Sequence, residues 1–246
     1  MRFNALAAAA ITAAAVISSN QAYALDTAKI GYGQGTAVDS ENRPVDAAEF
    51  NNRYGDLDAC ALSEEKNRII LTFDQGYENG YTAKILDTLK EKNVSAIFFL
   101  TGDYAKKETA LVQRMIDEGH ILGNHGMTHA SLPTLSNDAA KEEIMSLHNF
   151  VRDTYGYEMQ YFRCPCGEYS ESALKTAQDC GYKTLFWSFA YVDWKTDSQP
   201  APSEGLEKLT ESAHSGEILL LHSVSSTNTE ILGEVIDNFR AKGFTV

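Results

Sequence analysis

The sequence has few basic residues and no long hydrophobic run beyond its first two dozen residues. Lysine and arginine number 21 against 34 aspartate and glutamate residues, which gives a formal net charge of -13 over 246 residues. Nucleic acid and anionic lipid repel a chain this acidic, so we expect neither as a partner. Because no later apolar run is long enough to cross a bilayer, we also expect no integral membrane span in the mature chain.

The N-terminus does contain one short apolar run, of the kind found in export signals. Arg2 precedes an alanine-rich stretch from Leu6 to Ile17, and Ala22 to Ala24 has the small-x-small pattern of a cleavage site. The run is short for a membrane span, which favours cleavage over retention as an anchor. We therefore expect residues 1–24 to be a signal peptide and the protein to be secreted or extracytoplasmic.

Cysteine is scarce. The four cysteines are Cys60, Cys164, Cys166 and Cys180. Export permits disulfides, and four cysteines allow three pairings. A Cys-x-Cys pair could bind metal, but the paired spacing of a four-thiolate site is absent. We expect these cysteines to be structural or free.

Most of the chain alternates short apolar runs with amphipathic segments. The runs predict strands at 68–74, 95–101, 121–125, 161–165, 183–189 and 217–223, with 243–246 as a candidate seventh. The amphipathic segments predict helices at 81–92, 108–118, 136–155, 170–180, 204–213 and 228–242. This alternation indicates an α/β fold with parallel strands, and seven units favour a closed or nearly closed barrel over an open sheet.

The first part of the mature chain lacks this alternation. Residues 25–66 are polar and are punctuated by glycines and Pro44. We therefore expect them to be an N-terminal extension that wraps the barrel, and residues 67–246 to be the barrel domain.

Polar residues collect at the carboxyl ends of the predicted strands. Asp74, His125, Arg163 and His222 each end a strand or follow its last apolar residue, and Asp193 follows the fifth strand by four residues. In parallel barrels the active site is built at that end, from the loops that follow the strands. The pattern predicts a site at this edge.

Two motifs at these strand ends have specific chemistry. His125 and His129 form an H-x-x-x-H; in a helical turn both imidazoles would share one face and could bind one cation, whereas two surface histidines are the common alternative. Asp74 is followed by Gly76, so its carboxylate either caps the turn or serves as a general base beside a metal.

Taken in order, five motifs are characteristic of one family. The motifs are TFDQG, HGMTH, RCPCG, DW and LLLHS, spread over roughly residues 30–246. They resemble those of NodB-type polysaccharide deacetylases, carbohydrate esterase family 4. The stretches FDQGYENGY and FAYVDW are further similar to the branch that deacetylates N-acetylmuramic acid in δ-lactam biosynthesis.

The resemblance implies a distorted (β/α)7 barrel and an acid–base pair. Asp74 would be the catalytic base, held by Arg163. His222 would be the general acid, oriented and charge-balanced by Asp193. Together they would remove an acetyl group from an amide nitrogen.

The resemblance also implies a metal site and a substrate pocket. His125 and His129, with Gln75, would bind a divalent cation, zinc or similar. Trp194 and Leu220 would line the pocket for the acetyl methyl, and the Cys166 N–H would face the developing oxyanion.

Three positions depart from the family pattern. Gln75 stands where most members have a second aspartate ligand, and a neutral amide oxygen predicts weaker metal binding than usual. The muramic branch carries Pro and Arg where this chain has Cys164 and Cys166. That arginine would meet the lactyl carboxylate of muramic acid, so its absence predicts weak discrimination between muramic acid and glucosamine units.

From these motifs we expect a secreted, cell-wall-associated, monomeric hydrolase that removes N-acetyl groups from cell-wall polysaccharide, with muramic acid or N-acetylglucosamine of peptidoglycan as the substrate. The alternatives are a deacetylase of chitin oligomers, of a biofilm polymer or of xylan esters, and a non-catalytic sugar-binding relative. The remaining histidines, His120, His148 and His214, are expected to be structural or on the surface.

Overall fold

The computed structural model describes residues 24–246. The predicted signal peptide lies outside these residues, apart from its last residue, and stays a prediction. In the described range the strands are β1 (Ile30–Gly31), β2 (Ala59–Cys60), β3 (Ile69–Gln75), β4 (Ile97–Leu100), β5 (Ile121–Asn124), β6 (Tyr161–Phe162), β7 (Glu168–Tyr169), β8 (Lys183–Leu185), β9 (Phe189–Ala190) and β10 (Glu217–His222). The α-helices are α1 (Val45–Tyr54), α2 (Thr82–Glu91), α3 (Gly102–Lys107), α4 (Thr109–Asp117), α5 (Asn137–Tyr155), α6 (Glu171–Asp179), α7 (Pro202–Ser212) and α8 (Ser226–Ala241).

Eight of these strands form one parallel sheet. Their order is β2-β8-β6-β5-β4-β3-β10-β9, and every neighbouring pair is parallel. The sheet curls into a barrel. Its two edge strands, β2 and β9, do not pair with each other within the described residues, so the barrel stays open on one side. Parallel strands point the same way, and their carboxyl ends therefore meet at a single rim.

β3 shows how the sequence separates the two faces of the sheet. Leu71 and Phe73 are buried in the large apolar layer that the sheet shares with the helices. Ile70 instead packs against a smaller apolar cluster, made up of Ile97, Phe99, Leu185 and Ile218. Because side chains alternate along a strand, Asp74 shares the face of Ile70. On this face of β3 the residues thus change from the apolar Ile70, through the buried Thr72, to the charged Asp74 at the rim.

The helices cover the outer face of the sheet. Each of the six predicted helices is present, with its ends within two residues of the prediction. In α2 the apolar stripe of Ile85, Leu86 and Leu89 is fully buried. α5 begins after Ser136, whose hydroxyl accepts a hydrogen bond from Ala139 N–H, and it ends at Gly156 in the left-handed conformation.

The N-terminal extension contributes regular structure that its sequence pattern does not reveal. β1 pairs antiparallel with β7, α1 packs Phe50 and Tyr54 into the main apolar layer, and β2 joins the large sheet as an edge strand beside β8. Two-residue strands are too short to show a periodicity. At the other terminus the candidate seventh strand is a single bridge between Thr245 and Arg68. The division at residue 66 stays a prediction.

No helix within residues 24–246 is both long enough and apolar enough to cross a membrane.

Candidate active site

A cavity of about 640 Å³ opens at the carboxyl rim of the sheet. It is lined by most of the predicted site residues: Asp74, His125, His129, Cys166, Trp194, Leu220 and His222. Arg163 and Asp193 are fully buried and touch two of these side chains from behind. The structure therefore brings the motifs of five separate chain segments together around one space.

Arg163 holds Asp74 from inside the barrel. Its Nη1 donates to Asp74 Oδ1 at 2.9 Å and to Thr72 Oγ1 at 2.8 Å. Its Nε and Nη2 donate to the carbonyl oxygens of Leu185 and Phe186, each at 3.0 Å. Because four N–H groups of the guanidinium are hydrogen-bonded, the guanidinium is held rigidly. It therefore fixes the position of the Asp74 carboxylate.

This contact keeps Asp74 ionised. Burial alone would raise the pKa of the Asp74 carboxyl, but the positive charge of Arg163, with help from His125 and His222, lowers that pKa below its usual value. Asp74 Oδ2 makes no such strong contact; its neighbour is His125 Nε2, at 3.5 Å. The oxygen that is free to take a proton therefore faces the histidine pair.

His222 is held by a buried acid on the other side of the cavity. Its Nδ1 lies 2.7 Å from Asp193 Oδ1, and its backbone N–H donates to Asp193 Oδ2 at 2.8 Å. Asn228 also donates to Asp193 Oδ2, at 2.6 Å. Burial alone would lower the pKa of His222, but the hydrogen bond and charge of Asp193 raise it above its usual value. Since Nδ1–H donates to Asp193, Nε2 is the nitrogen that can act in the cavity.

His125 and His129 point their Nε2 atoms at each other. The two nitrogens are 3.2 Å apart. His125 Nδ1 lies 2.9 Å from the carbonyl oxygen of Arg163, which can only accept, so Nδ1 carries the proton and Nε2 keeps its lone pair. Burial lowers the pKa of His125 to about 4, so this imidazole is neutral near pH 7.

The pair fits a divalent cation. Two imidazole nitrogens bound to one tetrahedral cation at about 2.0–2.1 Å lie roughly 3.4 Å apart, close to the separation seen here. Within residues 24–246 no group of three or more His, Cys, Asp or Glu side chains forms a ready metal site. A complete ligand set therefore needs an amide or a water oxygen in addition.

Gln75 supplies a buried oxygen without a partner. Its side chain is fully buried, its Nε2 donates to the Ser223 hydroxyl, and its Oε1 accepts no hydrogen bond from any described residue. An uncommitted amide oxygen at this strand end is a donor that a hard or borderline cation accepts. Gln75 does not line the cavity itself, unlike the two histidines.

Cys166, Trp194 and Leu220 all line the cavity. Cys166 is exposed and adopts the left-handed conformation, with φ 59°. Burial raises the pKa of its thiol, so the side chain is neutral near pH 7. The Trp194 ring packs edge-on against His222 with centroids 5.6 Å apart, and Leu220 precedes His222 by two residues on the same face of β10.

Part of the cavity wall was not predicted from the sequence. Tyr32 and Gln34, from the extension, line the cavity together with Trp187. Tyr32 donates to the Trp187 carbonyl oxygen at 2.6 Å, and Trp187 Nε1 donates to Gln34 Oε1 at 2.9 Å. Asn228 was also missed. The signal for Asn228 is faint, since it sits in the first turn of a helix that directly follows the His222 strand.

The other three histidines lie away from the cavity. His120 and His214 are buried, and His148 contacts Tyr182 and Glu158 on the outer side of the sheet.

Comparisons with known proteins agree with this arrangement. A family model described as polysaccharide deacetylase matches residues 61–185. Peptidoglycan-N-acetylmuramic acid deacetylase PdaA of Bacillus subtilis is 40% identical over 228 residues, which are 92% of this chain and 86% of the relative. A peptidoglycan-N-acetylglucosamine deacetylase of Bacillus cereus is 32% identical over 182 residues, which are 72% of this chain and 65% of the relative.

The solved structure of Bacillus subtilis PdaA, described as a family 4 carbohydrate esterase, matches with a TM-score of 0.85 and 38% identity. The match covers 90% of this chain and 95% of that one. The (β/α)7-type barrel expected from the sequence is confirmed by this likeness. The fold, the rim cavity and the matches together show that the chain belongs to the polysaccharide deacetylase family, the enzymes of carbohydrate esterase family 4.

Proposed function

We propose that this protein is a secreted, metal-dependent N-deacetylase that acts on the amino sugars of peptidoglycan. One observation carries the proposal: a carboxylate held by a buried arginine and an imidazole held by a buried aspartate face the same cavity from neighbouring strands. The arrangement supplies a base and an acid within reach of one substrate amide.

Asp74 is the base in this proposal. Its pKa is lowered, so it is ionised throughout the neutral range, and Oδ2 is free to accept a proton from an attacking water. Arg163 compensates the charge without competing for that oxygen, because its contact is with Oδ1. Hydrolysis of an amide needs such a base, since water is a poor nucleophile.

His222 is the acid. The nitrogen of an amide would leave as an unstable anion unless a proton reaches it as the C–N bond breaks, so that a neutral amine departs. The raised pKa of His222 keeps a larger share of the imidazolium form near pH 7. Asp193 stabilises that charge and holds the ring so that Nε2 points into the cavity.

His125, His129 and the Gln75 Oε1 atom would hold the cation. Bound there, a divalent cation supplies Lewis acidity, which polarises the acetyl carbonyl and acidifies water. The chain's own part is to present neutral imidazoles, with the Nδ1 proton of His125 fixed by the Arg163 carbonyl. Gln75 adds no negative charge, so we expect weaker affinity than an aspartate would give.

Three residues would position the acetyl group. Leu220 and Trp194 give the cavity an apolar side for the methyl, and Trp194 also contacts the ring of His222. The backbone N–H of Cys166 would stabilise the developing oxyanion, an effect worth about 3–4 kcal/mol per donor in comparable sites.

The sugar is the least constrained part of the proposal. The relatives reported above include an N-acetylmuramic acid deacetylase and an N-acetylglucosamine deacetylase. Muramic acid carries a lactyl carboxylate, and no lysine or arginine is among the described residues that line the cavity. We therefore propose that both amino sugars are accepted, with little preference for muramic acid.

A non-catalytic sugar-binding protein is the competing function. Sugar binding alone requires neither an arginine that is hydrogen-bonded to Asp74 nor a buried acid that is hydrogen-bonded to His222. Burying these charges is also costly. The complete acid–base set therefore favours an enzyme. The expected export signal, at residues 1–24, fits a cell-wall substrate.

Acetate release from purified peptidoglycan tests the proposal. The protein without residues 1–24 is incubated with the polymer, with and without added Zn²⁺ and after treatment with a chelator. We expect acetate release that the chelator abolishes and the metal restores, with deacetylated muropeptides visible by mass spectrometry. Binding of the polymer without any acetate release, in the presence of metal, would identify the sugar-binding alternative instead.

A further inference from the structure

A buried carboxylate beneath the H-x-x-x-H turn is not accounted for by the acid–base set. Glu143 lies on α5, is only 8% exposed and has no lysine or arginine as an ion-pair partner among the described residues. A buried charge of this kind is costly unless hydrogen bonds satisfy it. Its partners therefore indicate what it does.

All of its side-chain hydrogen bonds go to the turn that carries the two histidines, at Thr128 and Ala130. Glu143 Oε1 accepts from the backbone N–H groups of Thr128 at 2.6 Å and Ala130 at 3.3 Å. Oε2 accepts from the Thr128 hydroxyl at 2.9 Å, and the Glu143 backbone oxygen accepts from Met127 N–H at 3.1 Å. The carboxylate thus replaces the hydrogen bonds that a regular helix would have given this turn.

The turn itself has an unfavourable conformation. His129 has φ 62°, in the left-handed region that non-glycine residues rarely adopt, and Gly126 has φ 83°. A side-chain carbon at Gly126 would lie 2.8 Å from Glu143 Oε1, so the turn is wrapped closely around the carboxylate. A left-handed residue costs about 1–2 kcal/mol and persists where the surroundings hold it.

We propose that Glu143 is a positioning residue that holds His129 where its Nε2 meets that of His125, and so pre-forms the cation site. The proposal rests on the proposed function, in which these histidines bind the cation. Without the carboxylate the turn would relax, and His129 would have to be ordered each time a cation binds. The free energy required to order His129 would be subtracted from the free energy of cation binding, so metal affinity would fall.

Metal affinity measured in the absence of substrate is the test. The dissociation constant for Zn²⁺ is determined by competition with a chromophoric chelator for wild type, Glu143→Gln and Thr128→Val. Glu143→Gln keeps the shape but removes the negative charge, so the N–H groups of the turn meet a neutral amide oxygen, which accepts more weakly than a carboxylate. We expect its affinity to fall about 10- to 100-fold, with a smaller fall for Thr128→Val, which loses one hydrogen bond.

Glu217→Gln is the matched control. Glu217 also has a fully buried carboxyl group, whose pKa burial raises to about 8, but it begins β10 at the amino end and accepts a hydrogen bond from His214 N–H. The Zn²⁺ affinity of Glu217→Gln should equal that of wild type. If Glu143→Gln binds Zn²⁺ within twofold of wild type and only its melting temperature falls, Glu143 is a structural residue and the proposal is wrong. If wild type binds no Zn²⁺, the cation site fails and the positioning role fails with it.

Discussion

Asp74 and His222 are register partners at the ends of neighbouring parallel strands, β3 and β10. Register partners in a sheet point to the same face, about 5 Å apart at the backbone. Each side chain has its own buried counter-charge behind it, Arg163 for the first and Asp193 for the second. The sheet therefore sets the spacing between base and acid, while the second pair of residues sets their protonation states.

The first prediction is that each member of this pair is needed for turnover. Asp74→Asn removes the proton acceptor and His222→Gln removes the proton donor, so each should lower kcat by about 10²–10⁴-fold. Acetate release from peptidoglycan at saturating substrate measures the effect, and circular dichroism checks the fold. Asp197→Asn, at an exposed position that does not line the cavity, is the control and should leave kcat unchanged. Near-wild-type turnover in either variant would disprove the role given to that residue.

The second prediction concerns the alkaline limb of the pH profile. Asp193 raises the pKa of His222, so removing its charge in Asp193→Asn should lower that pKa. The acid form of His222 is then lost at lower pH, and the alkaline limb of kcat should move toward acid. Profiles from pH 3 to pH 9 measure it, although this variant also loses turnover because the amide holds the ring less firmly.

The acidic limb serves as the internal control for that experiment. It reports Asp74 and His125, whose pKa values both lie below their usual range and are set by groups other than Asp193. A shift of the alkaline limb alone agrees with the assignment. Equal shifts of both limbs, or of neither, would show that Asp193 does not act through His222.

The sequence was most informative where the chemistry and the strand pattern coincide. Asp74, His125, Arg163 and His222 could be placed at one rim because each follows an apolar run, and parallel strands align their carboxyl ends. The helices were predictable for the same reason, since 10- to 19-residue amphipathic segments carry many turns of periodicity.

Contacts between distant segments were not predictable. Tyr32 reaches Trp187 across 155 positions, and β1 pairs with β7 through two residues on each strand. No local pattern encodes such a pairing, because a two-residue strand has no period. The partners of Glu143 could not be predicted either. In the sequence, the charged face of α5 that carries Glu143 looks solvent-exposed, because nothing there shows that the turn at Gly126 packs against it.

The third prediction treats Arg163 and Asp74 as one unit. Arg163→Met leaves a buried carboxylate without its partner and four acceptors unfilled, so it should lower the free energy of unfolding by about 3–5 kcal/mol. Adding Asp74→Asn removes the uncompensated charge and should recover part of that loss. Urea denaturation of the two single variants and the double variant gives the coupling energy. Additive effects would mean that the 2.9 Å contact contributes nothing.

The fourth prediction tests Gln75 as a cation ligand. Gln75→Glu keeps the side-chain length and adds a negative charge, and Ser223 can rotate its hydroxyl to donate to it. Zn²⁺ affinity should rise, because a carboxylate is a stronger ligand than an amide for a divalent cation. Gln75→Met has a similar volume without the oxygen and should bind Zn²⁺ more weakly. An unchanged affinity in both variants would remove Gln75 from the ligand set.

The fifth prediction concerns the choice between amino sugars at Cys166. This residue lines the cavity and is exposed, and its left-handed backbone is equally strained for cysteine and arginine, so Cys166→Arg should fold normally. Nearby cations are poor substitutes for an arginine there. Lys29 forms an ion pair with Glu168 at 2.8 Å, and Arg163 is buried and paired with Asp74. Lys195, just after Trp194, is an exposed and flexible ammonium.

An arginine at that position would bring a planar donor pair to the lactyl carboxylate of muramic acid. We expect wild type to deacetylate both sugars and Cys166→Arg to shift the ratio toward muramic acid by about tenfold, the effect of about 1.4 kcal/mol from one charge-assisted hydrogen bond. Cys166→Gln, a polar neutral residue, is the control and should leave the ratio unchanged. The measurement is a count of deacetylated muramic acid and glucosamine units by mass spectrometry after digestion of treated peptidoglycan. If wild type acts on muramic acid alone and Cys166→Arg changes nothing, a group other than residue 166 reads the carboxylate, because the neutral thiol in this cavity cannot.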